Sequence, residues 1–252
     1  KDITNLPPYE ISRMGVGRSF QRVNVFPRLS TFENIQLSLL SGRGKIRNIC
    51  SPASIMLVKE TEEILESVGL ADKGSLPSGS LAYGDQKRLE IGIALGGGPD
   101  LLLLDEPTAG MSPEDTTDFT KLIGQIAHEK ALTVLFVEHD MNVVFSISDY
   151  IRVLHQGALI AEGSSEDIKQ NEEVQRVYIG GVEIETPQKK ERPAEINTLV
   201  RKEHSLLEVD GIDTFYSSSH ILFNVSLQVE KSEVVCLLGR NGVGKTLSLI
   251  HI

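Results

Sequence analysis

Two short stretches of this sequence carry the residue types that nucleotide-phosphate chemistry needs, and they come in an unusual order. Gly239-Arg240-Asn241-Gly242-Val243-Gly244-Lys245-Thr246 completes the pattern G-x-x-x-x-G-K-[ST] after an apolar run. Gly239, Gly242 and Gly244, with Asn241 between them, let backbone N–H groups curl around phosphates. Lys245 would reach the β- and γ-phosphates, and the Thr246 hydroxyl would bind Mg²⁺. A chance glycine turn is the alternative, which the strand-like run ahead of the loop opposes. The second stretch is the run Leu101, Leu102, Leu103, Leu104 closed by Asp105 and Glu106. An aspartate there can hold Mg²⁺ through water, and the glutamate beside it can polarise an attacking water as general base. An acidic pair merely capping a strand is the plain alternative, and the following Pro107-Thr108-Ala109-Gly110 strengthens the chemical reading. In an intact phosphate-loop ATPase unit the glycine loop precedes the acidic strand. Here it follows by more than a hundred residues, and only six residues come after it.

Those side chains need a scaffold, and the sequence outlines one. The apolar run 101–104 suits a parallel strand covered on both faces, and Thr133-Val134-Leu135-Phe136-Val137 is a second such run, rich in β-branched residues. Between them Ser112, Pro113 and Asp115 form a helix start, with Phe119, Leu122, Ile123, Ile126 and Ala127 on one face. Strand, helix and strand in one stretch imply a right-handed crossover and a mainly parallel sheet. Residues 151–154 and 159–161, around Gln156-Gly157, read as a strand pair, and residues 53–69 as an amphipathic helix. Leu81-Ala82-Tyr83-Gly84-Asp85-Gln86 opens a helix with Leu89, Ile91, Ile93 and Leu95, although Gly96-Gly97-Gly98 is a flexible end for one. Residues 181–204 are charged, punctuated by proline and poor in apolar residues, as in a linker. Residues 206–209, 221–229 and 234–238 then read as strands leading into the glycine loop.

Composition narrows the partners. The 252 residues include 40% hydrophobic and 24% charged residues, ordinary for a globular chain. No run approaches the roughly 18 apolar residues of a membrane helix. A net charge of −10 without a basic stripe, and no Trp, argue against nucleic acid as a ligand. Cys50 and Cys236 lie far apart, without metal-type spacing, and suit a reducing compartment.

Taken together the motifs resemble the ATP-binding-cassette (ABC) ATPases. Leu81 to Gln86 is similar to the family signature and Gln21, in Arg18-Ser19-Phe20-Gln21, to the Q-loop. Glu138-His139-Asp140 resembles the switch-histidine segment and Ala109-Gly110-Met111-Ser112 the D-loop. Tyr216 stands where the family stacks adenine. Within that family, Leu-Ala-Tyr-Gly, Thr108-Ala109-Gly110-Met111, Glu138-His139-Asp140-Met141 and Val177-Tyr178-Ile179-Gly180 resemble ATPases of branched-chain amino acid importers. The resemblance implies an α/β fold, with a RecA-like parallel sheet and a helical lobe, and an ATP-hydrolysing, Mg²⁺-dependent transport subunit. It implies Glu106 as water activator, His139 at the γ-phosphate, and Gln21 sensing Mg²⁺ and nucleotide. Ala82, Tyr83, Gly84 and Ser112 would complete a site shared with a second ABC domain. The implied partners are transmembrane permease subunits, near residues 23–29 with Phe26 and Pro27, and indirectly an extracytoplasmic substrate-binding protein. The implied location is the cytoplasmic face of the plasma or inner membrane.

There are departures. Ala82 replaces the common signature serine, a lost charge-assisted bond of about 1.5–3 kcal/mol unless backbone donors compensate. Ser112 stands where many relatives have Asp. The motif order leads to an expectation of two incomplete domains: residues 1–180, without a phosphate loop of their own, and residues 205–252, ending just past theirs. The absent initiator Met fits a fragment, and the last six residues, Leu-Ser-Leu-Ile-His-Ile, read as non-native. The alternative is a permuted unit in which residues 205–246 fold back onto 1–180. Few residues remain for the helix after the loop, which weighs against it. A soluble tandem ATPase not coupled to transport, or a catalytically inactive remnant, are the alternatives for function.

Overall fold

The computed structural model describes residues 2–19, 23–44, 55–179, 205–216, 219–239 and 245–246, with the side chains of Ile179, Tyr216 and Ser219 outside the description. Gln21, the linker and loop residues 240–244 also lie outside the described residues.

Eight strands are described. They are β1 (Val16–Ser19), β2 (Leu101–Asp105), β3 (Thr133–Glu138), β4 (Tyr150–His155), β5 (Ala158–Gly163), β6 (Ser205–Tyr216), β7 (Ser219–Glu230) and β8 (Val234–Gly239). Six of them form one sheet in the order β1-β2-β3-β8-β4-β5, parallel except for the β4–β5 hairpin, while β6 and β7 pair separately. The helices bearing on the site are α1 (Pro8–Arg13), α2 (Thr31–Gly42), α3 (Val58–Ser67), α4 (Tyr83–Gly96), α5 (Pro113–Glu129) and α6 (Met141–Ile147).

Strand alternation divides the sheet into two faces. Leu102, Leu104, Val134, Phe136, Cys236 and Leu238 join the helical core, and Leu101, Leu103, Leu135, Val137, Val235 and Leu237 join a second core roofed by Leu207, Leu222, Leu227 and Val229 of β6 and β7. Both faces are therefore dry, which is why β2, β3 and β8 read as unbroken apolar runs.

β8 is the centre of the sheet. It pairs in parallel with β3, Phe136 opposite Cys236, and with β4, Ile151 opposite Cys236. Polar ties fix its entry: Val234 N–H donates to Asp149 Oδ2 at 2.9 Å, Asp149 N–H to the Val234 carbonyl at 2.9 Å, and Ser232 N–H to Thr133 Oγ1 at 2.8 Å. Arg152 adds a bond to the Gln228 carbonyl of β7. Strands β7 and β8 thus fold onto β3 and β4, and burial on both faces supplies the reason.

The local grammar is largely as expected. Ser112 caps α5, accepting from Asp115 N–H, with Pro113 in the first turn. The reciprocal half of the box differs, because Asp115 accepts the Ser112 hydroxyl at 2.7 Å. Residues 53 and 54 of the helix expected over 53–69 lie outside the described residues; the described helix is Val58–Ser67, entered through Leu57 in a left-handed conformation at φ 56°. β6 and β7 run longer than the apolar segments that announce them, with bulges absorbing the irregular pairing near Asp210 and Gly211. Gly96 and Gly42 serve packing: a Cβ on Gly96 would stand 2.9 Å from Ser38 Oγ, and a Cβ on Gly42 would stand 3.1 Å from the Gly97 backbone. Small residues let α2 and α4 close up.

Candidate functional site

The C-terminal ends of parallel strands are where such sheets gather chemistry, and the described site residues assemble there. Asp105 ends β2, and Glu106 follows at φ 45°, its N–H bonded to the Val137 carbonyl at 3.0 Å. That left-handed turn, uncommon for a residue with a side chain, aims the glutamate away from the strand. His139 follows β3, and β8 ends at Gly239, so Lys245 and Thr246 return to the same edge.

The distances are short. Thr246 Oγ1 donates to Asp105 Oδ1 at 3.0 Å. Lys245 Nζ donates to the Gly239 carbonyl and lies 3.6 Å from Glu106 Oε1. His139 Nδ1 lies 3.7 Å from the same Glu106 oxygen, its side chain 47% exposed. Glu106 therefore stands between a buried ammonium and an imidazole open to the outside. Burial pushes Asp105 above the usual carboxylate range; the Glu106 charge adds to this, and the Thr246 hydroxyl opposes it most. Burial likewise lowers Lys245, with Glu106 opposing. Arg18 also acts on Asp105 and buried Glu138 on Lys245, so three carboxylates face two cations and the remaining negative charge suits a further cation.

Asp105 and Thr246 offer only oxygen, the ligand type of a hard divalent ion, and Mg²⁺ takes one or two protein ligands and completes its shell with water and phosphate. Among the described residues no group of three or more His, Cys, Asp or Glu could hold a metal. The residues present fit Mg²⁺ accompanying a phosphate ligand.

One member of the switch-histidine segment has a role that the motif reading did not give it. Glu138 is fully buried and accepts from Thr108 Oγ1 at 2.6 Å, Thr108 N–H at 3.2 Å and His139 N–H at 3.2 Å. It pins the turn after Glu106 to the start of the switch segment. The signal was available: an acidic residue inside an otherwise apolar strand must find donors when buried.

The signature residues form a second group. Ala82 is the N-cap of α4 and offers no side-chain bond, so the N–H groups of the first turn are left for another acceptor. A Cβ on Gly84 would meet only the Asp115 carboxyl, at 3.8 Å, so internal packing does not demand glycine there. Tyr83, Gly84, Met111 and Ser112 line a common cleft with Lys73 and Arg88. The 106–112 segment joins this cleft to the first group, and Ser112 is occupied with Asp115. Tyr216 lies in β6, and its side chain is not among those described. Further out, Phe26 is 57% exposed while its backbone is locked by Asn34 and Ser78.

Comparison with known proteins agrees with this chemistry. The family profile described as ABC transporter matches residues 1–109. A high-affinity branched-chain amino acid transport ATP-binding protein of Pseudomonas aeruginosa, BraF, is 38% identical over 192 residues, 71% of this chain and 73% of that protein. The LivG protein of Escherichia coli, of the same description, is 37% identical over 186 residues, 71% of this chain and 72% of its own length. A solved ATP-binding cassette of an ABC transporter in its ADP conformation superposes with TM-score 0.59 at 30% identity, covering 71% of this chain and 74% of that one.

Proposed function

The chain belongs to the ATP-binding proteins of ABC transporters, and on that premise we propose that it binds and hydrolyses ATP to energise an importer of branched-chain amino acids. The single observation that carries the reading is the convergence of Asp105, Glu106, His139, Lys245 and Thr246 at one sheet edge.

In this account Lys245 and the loop from Gly239 through Asn241, Gly242 and Gly244 hold the phosphates. Tyr216 stacks on adenine, and Gln21 reports on nucleotide and metal. Thr246 and Asp105 hold Mg²⁺, which neutralises charge on the phosphate oxygens when bound. Glu106 takes a proton from water as the water oxygen bonds to the γ-phosphorus and the bond to the bridging oxygen breaks, giving ADP and phosphate. His139 donates to the γ-phosphate from the exposed side. Ala82, Tyr83, Gly84 and Ser112 face the nucleotide of a second ABC domain, with the backbone N–H groups of α4 substituting for the missing signature hydroxyl.

No described helix is long and apolar enough to cross a membrane. We therefore assign membrane association, at the cytoplasmic face, to permease subunits docking beside Phe26 and Pro27, with a substrate-binding protein acting on the permease from the other side. By motif order alone, residues 1–180 read as part of one ATPase unit and 205–252 as part of a sister, joined by 181–204. The seat of β8 between β3 and β4 favours a second reading of the same residues, one composite unit with one nucleotide site, and the mechanism above follows that second reading.

The test uses the full chain with membrane vesicles containing, or lacking, the permease subunits of a branched-chain amino acid importer. Retention on the permease vesicles and faster MgATP turnover there are expected. Equal retention on both kinds of vesicle would overturn the transport assignment.

A further inference from the structure

The hydroxyl of Tyr83, the second residue of the Ala82–Gly84 signature, reaches across the surface to the 109–112 segment. Tyr83 Oη donates to the Ala109 carbonyl at 3.2 Å. The ring also covers Gly110: a Cβ on Gly110 would lie 3.5 Å from Tyr83 Cε1, and the glycine sits at φ 81°, where a side chain is strained. Ala109 in turn donates its N–H to the Glu106 carbonyl at 3.1 Å, closing the turn that begins at the left-handed Glu106. The far side of that turn is fixed by Thr108 on buried Glu138. A continuous set of contacts thus runs from the first turn of α4, through Tyr83 and Ala109, to the backbone of Glu106.

We infer that Tyr83 is a positioning residue for hydrolysis: it couples the signature end of α4 to the turn that orients Glu106, so that engagement of the signature by a second domain's nucleotide is felt at this chain's own water-activating carboxylate. The inference rests on the proposed ATPase reading and adds a role that binding alone does not require. A residue that only lined the nucleotide cleft would affect ATP affinity. A residue acting through Ala109 affects the rate after ATP is bound, because the backbone that aims Glu106 is what shifts.

Tyr83→Phe keeps the ring over Gly110 and removes only the hydroxyl. The experiment measures kcat and KM for MgATP of the full chain, with Glu106→Gln alongside, and the melting temperature of each. Loss of one hydrogen bond predicts a kcat about three- to tenfold lower, with KM within about twofold and an unchanged melting temperature. A kcat equal to that of the unsubstituted chain, or a KM rise with kcat retained, would overturn the inference while leaving the ATPase reading intact. If the unsubstituted chain shows no turnover that Glu106→Gln abolishes, the ATPase reading falls and this inference falls with it. The double variant Tyr83→Phe, Gly110→Ala should lose less than the sum of its single losses, and strict additivity would also count against coupling.

Discussion

Glu106→Gln is expected to lower MgATP turnover by about 10²–10⁴-fold while nucleotide still binds. The amide matches the carboxylate in size and cannot accept the proton that water must give up. The turn should survive the change, because it is fixed by the backbone, through Glu106 N–H on the Val137 carbonyl and Ala109 N–H on the Glu106 carbonyl. Removing the negative charge 3.6 Å from Lys245 Nζ also leaves the ammonium freer for phosphate, so affinity for ATP should hold or rise. Steady-state turnover and a nucleotide titration on the same preparation check both halves. If the acidic pair did no more than cap β2, this isosteric substitution would leave turnover within about twofold.

Lys87→Met is expected to have the largest effect on stability. Lys87 Nζ lies 3.4 Å from Glu90 Oε2 on α4, and their side chains are 1% and 5% exposed. Methionine fills the volume but takes the Lys87 ammonium away from the Glu90 carboxylate inside the helical core. Breaking one side of a buried pair costs about 3–5 kcal/mol, which for a chain of this size lowers Tm by roughly 10 °C. Replacing both, Lys87→Met with Glu90→Leu, should cost less than the sum of the two single variants, because each single variant breaks the same buried pair. Thermal denaturation of the three chains distinguishes this from a pair without energetic weight, for which the single variant would melt like the parent.

The chemistry was more legible in the sequence than the architecture. Asp105, Glu106, Lys245 and Thr246 announce themselves because phosphate and metal ligation demand those types at fixed spacing, and the dry strands β2, β3 and β8 follow from unbroken apolar runs. The α5 boundary is written in Ser112 and Pro113. What spacing could not convey was the partner of β8. An apolar strand specifies that both its faces are buried, and leaves open which two neighbours bury them; the slot between β3 and β4 is a property of the whole sheet. Glu138 was hidden for a related reason. His139 donates from the next residue, but Thr108 lies on a separate segment that meets Glu138 only once the sheet has formed. Gly96 likewise looks like a weak helix end until Ser38 is set against it.

The central claim is that residues far apart in the chain share one MgATP site, and the Asp105–Thr246 contact tests it most directly. Asp105→Asn, Thr246→Ala and the double variant are made in the full chain, and the Mg²⁺-dependent part of ATP binding is measured for each by titration with and without the metal. The account predicts that the double variant loses little more than the worse single, with an interaction energy of about 0.5–3 kcal/mol. Losses that add to within about 0.3–0.5 kcal/mol would contradict it, placing Asp105 and Thr246 in separate sites.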